Sequence, residues 1–277
     1  MTARRLLSLH TAMQDDIGDL VTRCPVPGPG LPQVDPFLFL NHHGPQTYPP
    51  NSNGLPFGPH PHRGFETVTF IITGSLAHSD SATGESIVEA GGTQWMTAGR
   101  GLVHAELSPE SFKKSGGPVE FLQLWVNLPA RLKMTEPGYI GADAADIPDI
   151  AMAPGVTWRP VSGPDGAPVQ SLTGVVVGTV EMEPGTRATF PAPAGRNVLF
   201  YTVRGAATVG GEVVPEYTLA RISDGDTVEV ESADGCLILY GHADPIGEPV
   251  VAHGPFVMNT REEISQAIRD YQTGVIR

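Results

Sequence analysis

Gly58-Pro-His60-Pro-His62-Arg-Gly-Phe-Glu66-Thr-Val-Thr-Phe-Ile-Ile-Thr73-Gly74-Ser-Leu76 holds a proline-stiffened extended segment, a run with strand-like patterning and a glycine turn, in that order. Alternation with a period of two is the signature of a half-buried strand, and glycine after it supplies the turn. Working outward, the same shape returns at Leu199-Phe-Tyr-Thr-Val-Arg-Gly-Ala-Ala, and Glu89-Ala-Gly-Gly-Thr is answered by Ser223-Asp-Gly-Asp-Thr. Two such pairs in one order describe an internal duplication of a β unit. Registering Gly74 on Gly205 and Gly92 on Asp226 carries His60, His62, His104 and Glu106 onto Pro191, Pro193, Ile238 and Tyr240. The later copy therefore lacks the side chains that bind a cation.

Further strands are expected at Glu120-Phe-Leu-Gln-Leu-Trp-Val-Asn, Val198-Leu-Phe-Tyr-Thr-Val and Cys236-Leu-Ile-Leu-Tyr. The 33 glycines and 27 prolines break the chain into short elements throughout, as in barrels and sandwiches. One helix is signalled near the end. Thr260 and Glu263 have capping-box spacing, and Ile264, Ala267, Ile268 and Tyr271 form an apolar face before Gly274. The acidic, alanine-rich and proline-broken stretch from Gly141 to Gly155 reads as a connection. The expected organisation is all-β, with a metal-binding barrel over residues 1–145 and a metal-free barrel over 146–277 that includes the C-terminal helix.

Composition narrows the function. A formal net charge of -13 disfavours nucleic acid and anionic lipid as partners. Two cysteines, Cys24 and Cys236, without CxxC spacing indicate neither a disulfide framework nor a thiolate metal site. No apolar run approaches the roughly 20 residues that cross a bilayer, and the first residues lack an apolar segment with a cleavage site. A cytoplasmic chain with a small-molecule or protein partner is expected.

His60 and His62 are two apart, so extended backbone puts both imidazoles on one side. Gly99-Arg-Gly101-Leu-Val-His104-Ala-Glu106 does the same for His104 and Glu106 after a glycine turn. Three neutral imidazoles and one carboxylate leave open positions on an octahedral ion, unlike the closed cysteine-rich sets of structural metals. Glu66 is a strand glutamate that either joins this chemistry or holds a neighbour by hydrogen bonds. His78 reads as a structural histidine in the strand after Gly74. His42 and His43 are expected in a loop, Trp95 and Met96 in the core, and Arg63 and Arg100 in tying loops to carboxylates.

The residues from Gly54 to Gly74 and from Gly92 to His104 resemble the two cupin motifs, with Gly99 where cupins often have proline and Ser108 where they often have asparagine. Together with Gln94-Trp-Met-Thr-Ala-Gly-Arg-Gly-Leu-Val-His-Ala-Glu, Gln123-Leu-Trp-Val-Asn-Leu-Pro and His253-Gly-Pro-Phe-Val-Met-Asn-Thr, they resemble the pirin family of bicupins over nearly the whole chain. The resemblance implies two tandem cupin domains of jelly-roll type. It also implies one divalent metal ion in the first, usually iron, held by His60, His62, His104 and Glu106. Many single-metal cupins use the glutamate matching Glu66 instead. Manganese, cobalt, nickel, copper and zinc suit the same donors.

For some bacterial members the resemblance implies a quercetin 2,3-dioxygenase. There a flavonol-like hydroxyl would give its proton to Glu66 or Glu106, and dioxygen would open the ring with loss of carbon monoxide. It equally implies non-enzymatic, metal-responsive regulators that bind a transcription factor or a metabolic enzyme.

Overall fold

The computed structural model describes residues 2–80 and 84–277. Strands dominate, and two α-helices are present among the described residues, the longer near the C-terminus. None is long and apolar enough to cross a membrane. The chain forms two compact units. One comprises residues 15–22, 40–145 and 246–277; the other comprises the residues up to Gln14 together with 23–39 and 146–245. One change of unit falls between Ala145 and Asp146, inside the proline-broken stretch. The last 32 residues are grouped with the earlier unit, including the terminal helix.

The earlier unit is built from β1 (Phe57–His62), β2 (Phe65–Thr73), β3 (Ser75–Asp80), β4 (Thr93–Thr97), β5 (Leu102–Leu107), β6 (Gly117–Asn127) and β7 (Gly138–Ala142). One sheet runs β7-β4-β2-β6 and continues into Phe37–Tyr48, whose residues from Leu40 onward belong to this unit. The other runs β1-β5-β3 and ends on Gly84–Glu89. Alternate residues of the strands meet in an apolar cluster that includes Ile71, Leu76, Val88, Val119 and Phe121. His42 and His43, expected in a loop, instead lie fully buried in Phe37–Tyr48. There His42 Nε2 pairs with Glu120 Oε1 at 2.9 Å, and His43 Nδ1 with Thr22 Oγ1 at 2.9 Å.

β8 (Val251–His253) and β9 (Phe256–Met258) form a hairpin followed by the helix Arg261–Gln272. The expected capping box is present: Glu263 N donates to Thr260 Oγ1, and Thr260 N donates to Glu263 Oε2. Ile264 and Ala267 bury against Phe256, Met258 and Ile276. Tyr271, read as part of the apolar face, is 43% exposed, because it sits in the last turn, beyond the residues that pack on the hairpin.

In the later unit, Asn197–Val209 pairs along Cys236–Ala243, as β2 pairs along β6 in the earlier one. The registered glycines match in conformation: Gly74 and Gly205 have φ of 88° and 72°, and a Cβ would stand 2.7 Å from Pro118 O and 2.4 Å from Gly235 O. A side chain fits neither place. The counterpart of β5 is Thr227–Ser232, which pairs with Thr186–Pro191 as β5 pairs with β1, so the registration of His104 and Glu106 onto Ile238 and Tyr240 is one strand off; those two residues lie in the apolar cluster of Val198, Phe200 and Val228. The Tyr240 hydroxyl donates to Pro191 O at 2.9 Å. The all-β, two-barrel architecture with a C-terminal helix is thus the observed fold.

Candidate metal centre

β1 is an edge strand, bonded only to β5, so Pro59 and Pro61 interrupt no outer ladder. The β1–β5 register sets His104 opposite His60 and Leu102 opposite His62. Ring centroids lie 4.8 Å apart for His60 and His62, 4.4 Å for His60 and His104, and 4.9 Å for His62 and His104. One ligand nitrogen from each falls within 4.8 Å of the others, the only such convergence of His, Cys, Asp or Glu found among the described residues. Nitrogens bound to one ion at about 2.1 Å stand about 3.0 Å apart at adjacent octahedral positions, so the three rings draw inward when they close on an ion.

The second nitrogen of each ring is already engaged. His60 Nδ1 faces Gly58 O at 2.8 Å, His62 Nδ1 faces Pro255 O at 3.2 Å, and His104 Nδ1 faces His78 Nδ1 at 3.5 Å. A carbonyl only accepts, so His60 and His62 carry their hydrogen on Nδ1 and keep the Nε2 lone pair free. His104 Nε2 is buried with no hydrogen-bond partner. A buried imidazole nitrogen without a partner is costly unless something binds it, and a divalent ion fits that place. Burial, then the neighbouring His60, lowers the His62 pKa to about 3. Burial, then His62, His60 and His78, holds His104 well below the ordinary imidazole value. Both rings are therefore neutral, the form a metal requires.

The two glutamates are placed differently. Glu106 shares the His104 face of β5, but a bulge between them on the β1 side brings Glu106 opposite Phe57. Its carboxylate accepts from Thr69 Oγ1 at 3.2 Å and from Gln123 Nε2 at 2.6 Å, outside the three-histidine set. Glu66 lies on the other face of β2 from Thr69. Its Oε1 accepts from Trp95 Nε1 at 3.1 Å and Thr97 Oγ1 at 2.6 Å, and burial raises its pKa despite those two bonds. The structure does not bring it to the histidines.

Several supporting residues had no signal in the sequence. Lys133 is buried, and its Nζ donates to Gly64 O at 2.8 Å, Asn127 Oδ1 at 2.7 Å and Val257 O at 3.0 Å. It pins the turn that separates the two histidines of β1 from β2. Gly64 has φ 90°, and a Cβ there would stand 2.0 Å from Val257 O. Arg63 performs the expected tying role, donating to Asp270 Oδ2 at 2.7 Å and Arg100 O at 2.6 Å. Arg100 itself pairs with Glu136 at the surface. Trp125 stands 5.4 Å from the His62 ring and packs on Phe65. Trp95 and Met96 are in the core as expected. A cavity of about 460 Å³ borders His104, Asp80, Val103 and Ala105 and is walled by Tyr271 and Ile276.

Two family models match the chain, "Pirin" over residues 20–126 and "Pirin C-terminal cupin domain" over residues 177–277. A Pseudomonas aeruginosa protein provisionally named quercetin 2,3-dioxygenase is 37% identical over 286 residues, covering 99% of this chain and 98% of its own. Human pirin is 36% identical, with 95% of this chain and 90% of that protein covered. Among solved structures, one described as quercetin 2,3-dioxygenase from Acinetobacter baumannii superposes with a TM-score of 0.91 at 32% identity, over 99% of this chain and 98% of that one.

Proposed function

The chain belongs to the pirin family of two-domain cupin proteins, and from that premise we propose that it is a metal-dependent oxygenase of the quercetin 2,3-dioxygenase type. The observation that carries the reading is the convergence of three imidazoles, each with one nitrogen engaged, together with a His104 Nε2 that is buried without a hydrogen-bond partner. Iron(II) is the proposed ion, and when bound it would supply Lewis acidity and exchangeable positions for dioxygen chemistry.

In this reading His60, His62 and His104 hold the ion through Nε2, and Glu106 is the fourth donor. Glu106 is also the group assigned to take the hydroxyl proton of a flavonol-like substrate, since Glu66 faces away. Hydrogen bonds to a charged carboxylate contribute about 1.5–3 kcal/mol each, so Thr69 and Gln123 hold Glu106 in one orientation. Donation to the ion uses its remaining lone pairs or gives up the longer bond, to Thr69. Trp125 and Phe65 supply aromatic surface beside His62.

The test is aerobic incubation of the iron-loaded protein with quercetin, following flavonol absorbance and carbon monoxide. Turnover is expected in wild type and not in His62→Ala or Glu106→Ala. Equal turnover in those variants would sink the enzymatic reading. Iron uptake without any turnover would move the function to a metal-responsive protein that binds a partner, which a pull-down under reducing and oxidising conditions would then identify.

A further inference from the structure

His78 and Asp80 lie on β3, beside β5, where the register sets Asp80 opposite His104 and His78 opposite Glu106. Both side chains are buried. His78 Nε2 stands 2.8 Å from Asp80 Oδ2, and its Nδ1 stands 3.5 Å from His104 Nδ1. The Tyr139 ring, on β7, stacks on the His78 ring with centroids 4.0 Å apart and planes 12° from parallel. That stack resists rotation of the imidazole.

We propose that Asp80 and His78 form a relay that fixes the tautomer and orientation of His104 as an Nε2 metal ligand. The inference rests on the metal reading above and concerns the positioning of one donor. A carboxylate only accepts, so the His78 hydrogen sits on Nε2 and points at Asp80. In a neutral imidazole that leaves His78 Nδ1 as a lone pair. His104 must then donate from Nδ1, which frees Nε2, the atom that is buried without a hydrogen-bond partner. The opposite arrangement would put a hydrogen on His104 Nε2 and block coordination there.

His60 and His62 are set by backbone carbonyls, which no substitution removes. His104 alone is set by side chains, and a carboxylate behind the bridging ring raises the donor strength of the ligand it supports. His78 and Asp80 are thus positioning residues through which the field at the ion can be tuned without touching a ligand.

Asp80→Asn, which keeps the shape, and His78→Phe, which keeps the stack on Tyr139, separate the two halves of the relay. Cobalt(II) is the probe, with affinity read by competition against a chromophoric chelator and geometry read from the visible d–d bands. Both variants are expected to bind about 10- to 100-fold more weakly than wild type, with shifted bands. Metal-free wild type should show, by long-range proton–nitrogen correlation, hydrogen on His78 Nε2 and on His104 Nδ1. If His78→Phe does not fold, Asp80→Asn alone decides. Cobalt bound by wild type and Asp80→Asn with the same affinity and the same bands would overturn the relay and leave the metal reading intact. A wild type that binds no cobalt would overturn both.

Discussion

Lys133 is a buried ammonium without a carboxylate in direct contact, and replacing it with methionine tests whether the turn after His62 is held as described. The three acceptors on Nζ, Gly64 O, Asn127 Oδ1 and Val257 O, lose their donor in Lys133→Met. Leaving a buried acceptor unpaired costs about 1–3 kcal/mol. Against that, the variant removes the cost of burying the charge, which lowers the Lys133 pKa from 10.5 to about 8 despite the opposing pull of Glu248 and Glu263. The sign follows from proton binding. Between the folded and unfolded values the unfolded chain holds more protons, so this group makes stability rise with pH across that window. From about pH 7 to about pH 9.5 the gain comes to about 2 kcal/mol in wild type. Lys133→Met is expected to be less stable at the lower pH and to lack that gain. Urea unfolding in a Trp158→Phe background confines the fluorescence to Trp95 and Trp125, both in the unit that holds Lys133. Other titrating groups cancel in the comparison of the two proteins at the two pH values. If both show the same rise, the ammonium is not buried in the way its three hydrogen bonds imply.

Free divalent metal should stabilise the earlier unit by about 1.4 kcal/mol for each tenfold excess over the dissociation constant, and a chelator should reverse this. His62→Ala abolishes the effect, which differential scanning calorimetry with and without metal reads. Gly64→Ala forces a Cβ against Val257 O at a positive φ, so a loss of several kcal/mol on the order of other strained-backbone substitutions is expected, together with loss of cobalt binding. For Glu66 the folded pKa is raised by burial, so its contribution falls as pH climbs above the ordinary carboxylate range. Glu66→Gln should flatten that fall in pH-dependent urea unfolding and leave metal content, measured by atomic emission, unchanged. Metal lost from Glu66→Gln but retained by Glu106→Ala would reverse the assignment of the carboxylate.

The fold was legible because its signals are local. Period-two runs mark Phe65–Thr73 and Gly117–Asn127, and the Thr260–Glu263 capping box marks the terminal helix. The histidines were legible for the same reason, since a spacing of two within one strand needs no knowledge of the rest of the chain. The glutamates show where such counting stops. His60, His62 and Glu66 are all even, which suggests one face, but Arg63 and Gly64 form a turn and a new strand begins at Phe65. The alternation restarts there, and Glu66 ends on the face of Trp95. Glu106 keeps the phase of His104 within β5, but the bulge opposite it comes from β1 and is invisible in the sequence of β5. His42 and His43 were misplaced because Gly-Pro after them reads as a loop, whereas Phe37–Tyr48 carries its strand through that dipeptide. His78 is 26 residues from His104, and only the pairing of β3 with β5 makes them neighbours.

The duplication also explains why the three-histidine set is kept in one unit and not in the other. A half-satisfied buried polar network is worse than an apolar interior, so a metal site survives only with its partners. The earlier unit keeps the whole set: Gly58 O and Pro255 O behind two histidines, His78 and Asp80 behind the third, and Thr69 and Gln123 on the carboxylate. The later unit has given up the set together. Thr227–Ser232 is the counterpart of β5, since it pairs with Thr186–Pro191 as β5 pairs with β1; it carries no histidine, and its Val228 and Val230 lie in a continuous apolar cluster. Arg4 closes one end of that unit, donating to the carbonyls of Ala192, Pro193 and Ser223. Placing histidines at Val228 and Val230 alone should therefore destabilise the later unit without creating metal binding. Each new imidazole would be buried without the outer partners that fix its tautomer, and cobalt stoichiometry in such a variant should stay at the wild-type value.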